Sequence, residues 1–244
     1  MSLPKIRLER CTPLDGGLWR LDDAQARHLL KALRNYEGAM VEGLLAEGSG
    51  TRSLLRLERA GDELLLRLVD EARAEPDPLA ITLLIGLLKS DQFDAVLRAS
   101  AELGLFRILP VVCARSVPRF GEKERRSGKL DRWRRILDEG TKVSGAVFPP
   151  ELRPPVPFAD IDWNALPERR YAALLIDAAR PLAETAPPPG SLAFAVGPEG
   201  DWSDTEADAL TANGFQPVSL GRRVLRASTA ALIGCGWFRL AARV

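Results

Sequence analysis

Histidine is nearly absent from this chain: its 244 residues include one, His28. A site that needs two imidazoles is therefore excluded. A serine–histidine–aspartate triad would have to use His28, and no GxSxG elbow is present to carry the serine. His28 reads better as a packed or surface side chain than as a catalyst. Cysteine is scarce as well. Cys11, Cys113 and Cys235 stand far apart with no CxxC pair, which argues against a disulfide framework and against a structural zinc centre. Neither GxGxxG nor a Walker loop occurs, so dehydrogenase and P-loop kinase chemistry are disfavoured. No apolar run reaches the roughly 18 residues of a membrane span. The opening MSLPKIRLERC lacks the apolar stretch of a secretory signal. The expected setting is a reducing cytoplasm, with no membrane and no metal.

Lysine is also scarce, 6 residues against 28 arginines. A GC-rich genome explains that bias more simply than phosphate recognition does, although guanidinium suits phosphate better than ammonium. The rest is ordinary globular material: 46% hydrophobic and 27% charged residues, with 34 basic and 33 acidic groups netting +1. The length allows one or two domains with sizeable cores. Charge is uneven along the chain. Residues 107 to 142 hold 11 basic and 5 acidic groups. That excess is enough to attract a polyanion, and a solvated helix face explains it equally well.

The first part of the chain reads as mainly β. Met40–Ala46, Ser53–Leu57 and Leu64–Asp70 alternate with charged or Gly-rich turns. One helix is expected near Asp22–Asn35, capped by Asp22 or Asp23. Glu71–Pro78 has the composition of a linker, and the domain boundary is expected between residues 72 and 73. Beyond it the pattern changes. Ala80–Leu88 and Arg107–Cys113 are apolar runs of the kind buried on both faces of a sheet. Asp91–Leu103 predicts a helix with Ser90 as its N-cap and Phe93, Val96, Leu97 and Ala101 on one side. Lys129–Ser144 predicts another, with Trp133, Ile136, Leu137 and Gly140 together. After the Pro-rich crossing Phe148–Phe158 come strands Tyr171–Asp177 and Leu192–Gly197, a helix Ser203–Asn213, a strand Gln216–Leu220 and a final helix from about Ser228. Alternating strands and helices imply a parallel sheet covered on both faces, an α/β fold.

Three segments carry the chemistry, all late in the chain. They are the strand end Ile176–Asp177, the loop VGPEGDWSDTE (Val196–Glu206) and LGRRVLRASTA (Leu220–Ala230). Gly197 and Gly200 follow a buried strand and precede a helix capped by Ser203 or Asp204. Glycine there lets the backbone approach a ligand, and ligands of open α/β sheets bind outside the carboxyl ends of the strands. A tight Gly-Pro turn is the simpler reading of either glycine alone. In the third segment, Ser228 or Thr229 reads as the N-cap of the last helix, and Arg222, Arg223 and Arg226 read as a solvated loop. That last helix is apolar on almost every side, which means burial in the core or at a subunit interface.

Taken together, GPEGDWS, LGRRVLRASTA, the helix KSDQFDAVLRASAELG followed by RILPVVCARSV, and the early helix RHLLKALR resemble the SPOUT class of S-adenosylmethionine-dependent RNA methyltransferases. They resemble most closely its RsmE type, which methylates N3 of a uridine in 16S ribosomal RNA. The resemblance runs in order along nearly the whole chain. It implies a PUA-like β-barrel that binds RNA over residues 1–72. It also implies a SPOUT α/β domain over residues 73–244, whose C-terminal part forms a trefoil knot that holds the cofactor. Two chains would pair through the knot helices. Such knots are rare, and periodicity does not reveal them.

The resemblance assigns the cofactor to Leu175, Ile176, Val196, Gly197, Pro198, Glu199, Gly200, Leu220, Gly221, Val224, Leu225, Thr229 and Ala230. Arg226 is the candidate to stabilise negative charge developing on the base, and Glu199 to order the loop or orient the base. Arg27, Lys31 and Arg34 share one helical face and, with Lys89, Arg115, Arg119 and the basic helix around Arg132, are candidates for RNA contact. The chain departs from the family pattern at Asp201, where a second glycine is usual, and at Ser228, Ala99, Val143 and Ala146, where polar or charged groups are usual. These departures leave open a different RNA target, or a cofactor-binding RNA assembly protein with little catalysis.

Overall fold

The computed structural model describes residues 3–8, 11–33, 38–44, 51–61, 63–73, 77–117, 120–121, 128–144, 146, 148–185 and 190–242; of Arg7, His28, Ala32, Leu44, Thr51, Arg52 and Arg73 it describes the backbone alone. The chain forms two compact units, Met1–Pro76 and Asp77–Val244.

The first unit is a six-stranded sheet in the order β1-β4-β5-β6-β3-β2. Its strands are β1 (Lys5–Arg7), β2 (Thr12–Leu14), β3 (Leu18–Arg20), β4 (Met40–Leu44), β5 (Thr51–Ala60) and β6 (Glu63–Arg73). Only the β1–β4 pair is parallel. Helix α1 (Asp23–Ala32) is capped by Asp22, whose carboxylate accepts the Gln25 N–H at 2.6 Å. Ile6, Leu8, Val41, Leu55, Leu57 and Leu66 bury their side chains around Leu29 of α1. The strands follow the expected alternation, but β5 and β6 are longer than the apolar windows suggested. Glu58, just past the apolar window of β5, pairs with Arg67 of β6 at 2.7 Å. The expected helix end at Asn35 and strand end at Ala46 lie outside the described residues.

The second unit is built on an eight-stranded, all-parallel sheet. Its strands are β7 (Leu79–Gly86), β8 (Arg107–Val112), β9 (Glu151–Leu152), β10 (Val156–Pro157), β11 (Arg169–Ala173), β12 (Arg180–Pro181), β13 (Gly190–Val196) and β14 (Phe215–Ser219). The order is β10-β8-β7-β13-β11-β14-β12, with β9 also on β8. Strand β13 lies beside β7, with Gly190 to Val196 paired to Leu79 to Ile85. Both are largely apolar and buried, Leu192 to Val196 of β13 completely so, because helices or loops cover both faces. One layer holds α2 (Ser90–Glu102), α3 (Lys129–Ser144) and α5 (Ala227–Ala241), whose apolar faces join the core of Ile81, Leu83, Phe93, Leu97, Trp133 and Phe238. The opposite face packs Leu84, Ala193, Ala195, Trp202, Leu210 and Phe215 under α4 (Asp204–Ala212) and the 3-10 turns of residues 158–165.

Close packing dictates two glycines. A Cβ on Gly234 of α5 would strike the Phe194 ring, and one on Gly140 of α3 would lie 2.9 Å from the Ala101 Cβ. Arg239 fastens α5 to the rest of the unit. Its guanidinium donates to the carbonyls of Leu103 at 3.0 Å, Leu79 at 3.1 Å and Gly104 at 2.5 Å and pairs with Asp77. The first and last of these carbonyls lie at the end of α2, where orphan acceptors need partners.

Two expected caps are corrected. Helix α2 starts at Ser90 with Lys89, not Ser90, as its cap residue, and α5 starts at Ala227 with Arg226 as its cap rather than Ser228 or Thr229. In neither helix does the cap side chain bond the first turn, so the serine and threonine signal was a false lead. Strand β11 is also shorter than expected. It ends at Ala173, and the chain then turns, with the Ala179 N–H donating to the Ile176 carbonyl at 3.1 Å.

Candidate active site

All strands of the second sheet run parallel, so the connections that follow them leave from one edge. Strands β13, β11 and β14 are consecutive neighbours. The three segments singled out in the sequence are the segments that follow them: 197–203 after β13, 174–179 after β11 and 220–226 after β14. Motifs that lie far apart in sequence therefore share one edge.

The Gly197–Ser203 loop is held at several points. It passes directly over the end of β7: a Cβ on Gly86 would lie 2.5 Å from the Pro198 Cδ, 2.8 Å from the Gly197 carbonyl carbon and closer still to the Pro198 nitrogen. Glycine at position 86 is therefore a requirement of space. Sequence reading missed it, because the obstacle is a segment more than 100 residues away (Pro198). Within the loop, the Asp201 N–H donates to the Pro198 carbonyl at 2.9 Å. Asp201 has φ of +60°, the only non-glycine described residue with positive φ. Aspartate tolerates that region better than most residues, and its Oδ1 accepts the Trp202 N–H at 2.8 Å. The position where the resemblance expects a second glycine thus adopts the left-handed conformation that glycine favours.

Glu199 extends from the loop to helix α2, where its Oε1 accepts the Lys89 N–H at 2.9 Å. A carboxylate at a helix N-terminus satisfies an orphan donor and complements the helix dipole. On the other side, Ser203 and Glu206 form a capping box for α4: Glu206 Oε2 accepts the Ser203 N–H at 2.8 Å and the Ser203 hydroxyl accepts the Glu206 N–H at 3.3 Å. Glu206 is buried, 6% exposed. Its Oε1 reaches across to the segment after β8 and accepts the Ala114 N–H at 2.8 Å. That carboxylate and burial together push the Cys113 thiol up to about 12, burial being the larger cause. The thiol is inert at neutral pH.

The candidate residues divide into groups. Glu199, Gly200, Gly221, Val224, Arg226 and Thr229 are exposed at or near this edge, with Leu175 and Ile176; Leu220 and Leu225 are half-buried. Val196, Gly197, Pro198 and Ala230 are buried. Val196 and Ala230 belong to the core, so their side chains pack the sheet. Lys89 is exposed at the cap of α2. Arg115 lies against the Gly197–Ser203 loop. Arg132 pairs with the buried Asp94, Nη1 to Oδ1 at 3.0 Å. Arg27 and Lys31 are exposed on α1 of the first unit, and Arg27 donates to the Asp23 carbonyl. Arg34 and Arg119 lie outside the described residues. A surface cavity of about 740 Å³ involves none of the candidate residues; Tyr171, Arg180, Glu184, Thr211 and Gln216 line part of it. Among the described residues no cluster of His, Cys, Asp and Glu is placed to hold a metal. No helix among them is long and apolar enough to cross a membrane.

Residues 75–239 match the model of the RNA methyltransferase domain family. The chain is 32% identical over 215 residues to the ribosomal RNA small subunit methyltransferase E of Synechocystis sp., covering 86% of this chain and 69% of that protein. It is 27% identical over 220 residues to the protein of the same name from Aquifex aeolicus, covering 88% and 91%. It superposes on the crystal structure of the Neisseria gonorrhoeae ribosomal RNA small subunit methyltransferase E bound to S-adenosyl methionine with a TM-score of 0.80, at 28% identity over 98% of each chain. The chain belongs to the ribosomal RNA small subunit methyltransferase E family, the RsmE type that its motifs resemble.

Proposed function

We propose that this protein binds S-adenosylmethionine at the edge formed by the segments after β11, β13 and β14, and methylates N3 of a uridine in 16S ribosomal RNA of the small subunit. The observation that carries the reading is the placement of GPEGDWS, LLID and LGRRVLR after three neighbouring parallel strands. The residues suit this cofactor. Leu175 and Val224 are 65% and 78% exposed, apolar surface of the kind that adenine covers. Gly197 and Gly200 offer backbone without side chains. When bound, S-adenosylmethionine supplies an electrophilic methyl group on a sulfonium. Leu175, Ile176, Leu220, Gly221 and Leu225 would hold the adenosine, and Glu199 would keep the loop in register through the Lys89 N–H. Arg226, exposed beside α5, would stabilise the negative charge that spreads to the uracil oxygens as N3 loses its proton.

Residues 1–72 serve in this reading as the PUA-like RNA-binding domain, with Arg27 and Lys31 contributing phosphate contacts. A trefoil knot over residues 73–244 is supported by the sheet order: β14 is inserted between β11 and β12, and the segment 174–179 joins those two strands past it. Pairing of two chains through α5 is supported by its second face. Ala227, Ala230, Ala231, Gly234, Cys235 and Phe238 are buried, whereas Leu232, Ile233 and Leu240 recur at helical spacing and are exposed. The cytoplasm is the setting that ribosomal RNA demands.

The test is methyl transfer from labelled S-adenosylmethionine to small subunits lacking this modification, with the product nucleoside identified by mass spectrometry. N3-methyluridine at one site is expected, and Arg226→Ala is expected to lower turnover far more than cofactor affinity. Label at another nucleoside would establish a different RNA target, the reading favoured by Ala99, Val143 and Ala146. Cofactor binding without transfer would instead identify an assembly protein.

A further inference from the structure

We infer that Arg115 is a positioning residue for the cofactor loop, and that it governs cofactor affinity rather than contact with RNA. The inference rests on the function proposed above. Its sequence context, a basic stretch after β8, suggested a phosphate ligand. The structure gives its guanidinium other partners. Nη1 donates to the Trp202 carbonyl at 2.8 Å and approaches the Gly200 carbonyl at 3.5 Å, and Nη2 lies 4.0 Å from the exposed Asp204 carboxylate. A guanidinium has only donors to offer, and backbone carbonyls are natural acceptors for it.

The contact is reciprocal and close. A Cβ on Gly200 would fall 2.9 Å from the Arg115 Cβ and 3.1 Å from its carbonyl oxygen, so Gly200 is the residue that lets the two segments touch. Next to Arg115, the Ala114 N–H is held by the buried Glu206 carboxylate at 2.8 Å. Ser116, also buried, accepts the Cys113 N–H on its hydroxyl at 3.0 Å. The segment 113–116 is therefore itself rigid and serves as an anchor. Strand β7 separates β8 from β13 in the sheet, and the contacts of Arg115 and Glu206 join the segments that follow those two strands. The loop is thus fixed from two sides, by Lys89 through Glu199 and by Arg115 through the carbonyls of residues 200 and 202.

Arg115→Gln and Arg115→Lys in the full chain test this with three readouts. Hydrogen exchange, measured without cofactor, is expected to accelerate in residues 198–204 of Arg115→Gln and less in Arg115→Lys. Calorimetry is expected to show S-adenosylmethionine binding weakened about tenfold in Arg115→Gln, the loss of one charge-assisted hydrogen bond. RNA affinity and its salt dependence are expected to stay within about twofold. Gly200→Ala, which pushes the same contact from the other side, is expected to accelerate exchange in the same loop residues without cofactor. Unchanged loop exchange and cofactor binding, with an RNA salt slope lowered by about one, would overturn the assignment. A wild-type chain that takes no S-adenosylmethionine would sink the proposed function, and loop exchange alone would then decide the role of Arg115.

Discussion

Replacing Gly86 by alanine adds one methyl group where the Gly197–Ser203 loop crosses β7. The new Cβ would lie 2.5 Å from the Pro198 Cδ and 2.8 Å from the Gly197 carbonyl carbon. Carbon atoms in contact prefer about 3.5–4.0 Å, so the overlap is about 1 Å. The obstacle is loop backbone and a proline ring, and the donor strand is central, paired to β8 and β13. Neither can rotate away as a flexible side chain would. Overpacking of this kind costs about 1–3 kcal/mol, and for a unit of this size each kcal/mol lowers the melting temperature by about 2–4 °C. The functional loss should be larger than the loss of stability suggests, because the displaced atoms belong to the loop proposed to hold the methyl donor. A misplacement of about 1 Å costs on the order of a hundredfold in rate. Thermal melting by circular dichroism and single-turnover methyl transfer would be measured on the same preparation. An alanine variant that melts and turns over as the wild type does would refute the crossing described here.

Two other expectations are independent of that crossing. Asp201→Val should cost about 1–2 kcal/mol in urea unfolding, from left-handed backbone strain plus the lost bond to the Trp202 N–H. Asp201→Gly should stay within about 0.5 kcal/mol, since glycine relieves the strain as it removes the bond. The thiols give a pH expectation. Burial pushes Cys113 and Cys235 up to about 12, against an ordinary 9.0. Unfolded thiols ionise first, so their contribution to stability is intact below pH 9 and is lost as pH rises from about 9 to 12. Urea midpoints at pH 8 and 10 should fall in that order, and the fall should diminish in a Cys113→Ala, Cys235→Ala double variant.

Periodicity located the elements well wherever one face is buried. Phe93, Val96, Leu97 and Ala101 of α2, and Trp133, Ile136, Leu137 and Gly140 of α3, are all buried as their spacing implied. The caps Asp22 of α1 and Ser203 of α4 were legible; those of α2 and α5 were not, because a serine near a helix start does not say which residue adopts the extended conformation before it. Lys89 fills that role at α2, and the partner of its N–H is Glu199, 110 residues away. Arg115 illustrates the same limit. Its charge was visible in the sequence, but its acceptors are carbonyls brought near only by the order of strands. The apolar composition of α5 implied burial in the core or at a subunit interface, and the fold buries one face of it, Ala227, Ala230, Ala231, Gly234, Cys235 and Phe238, in the core.

The neighbour relations of the central sheet set the order of assembly. Strand β13 pairs with β7 although Gly190 and Leu79 are over 100 residues apart, and β11 has β13 on one side and β14 on the other. Contacts this distant form late, because loop closure must be overcome before they contribute. An early intermediate would hold the local pairs β5 with β6 and α2 with α3, but the segments after β11, β13 and β14 would still be apart. Affinity for a ligand at the proposed site therefore reports completion of the fold. A refolding chain should regain helical signal well before it regains any grip on a small molecule, and the interval between the two measures how long the central strands take to find one another.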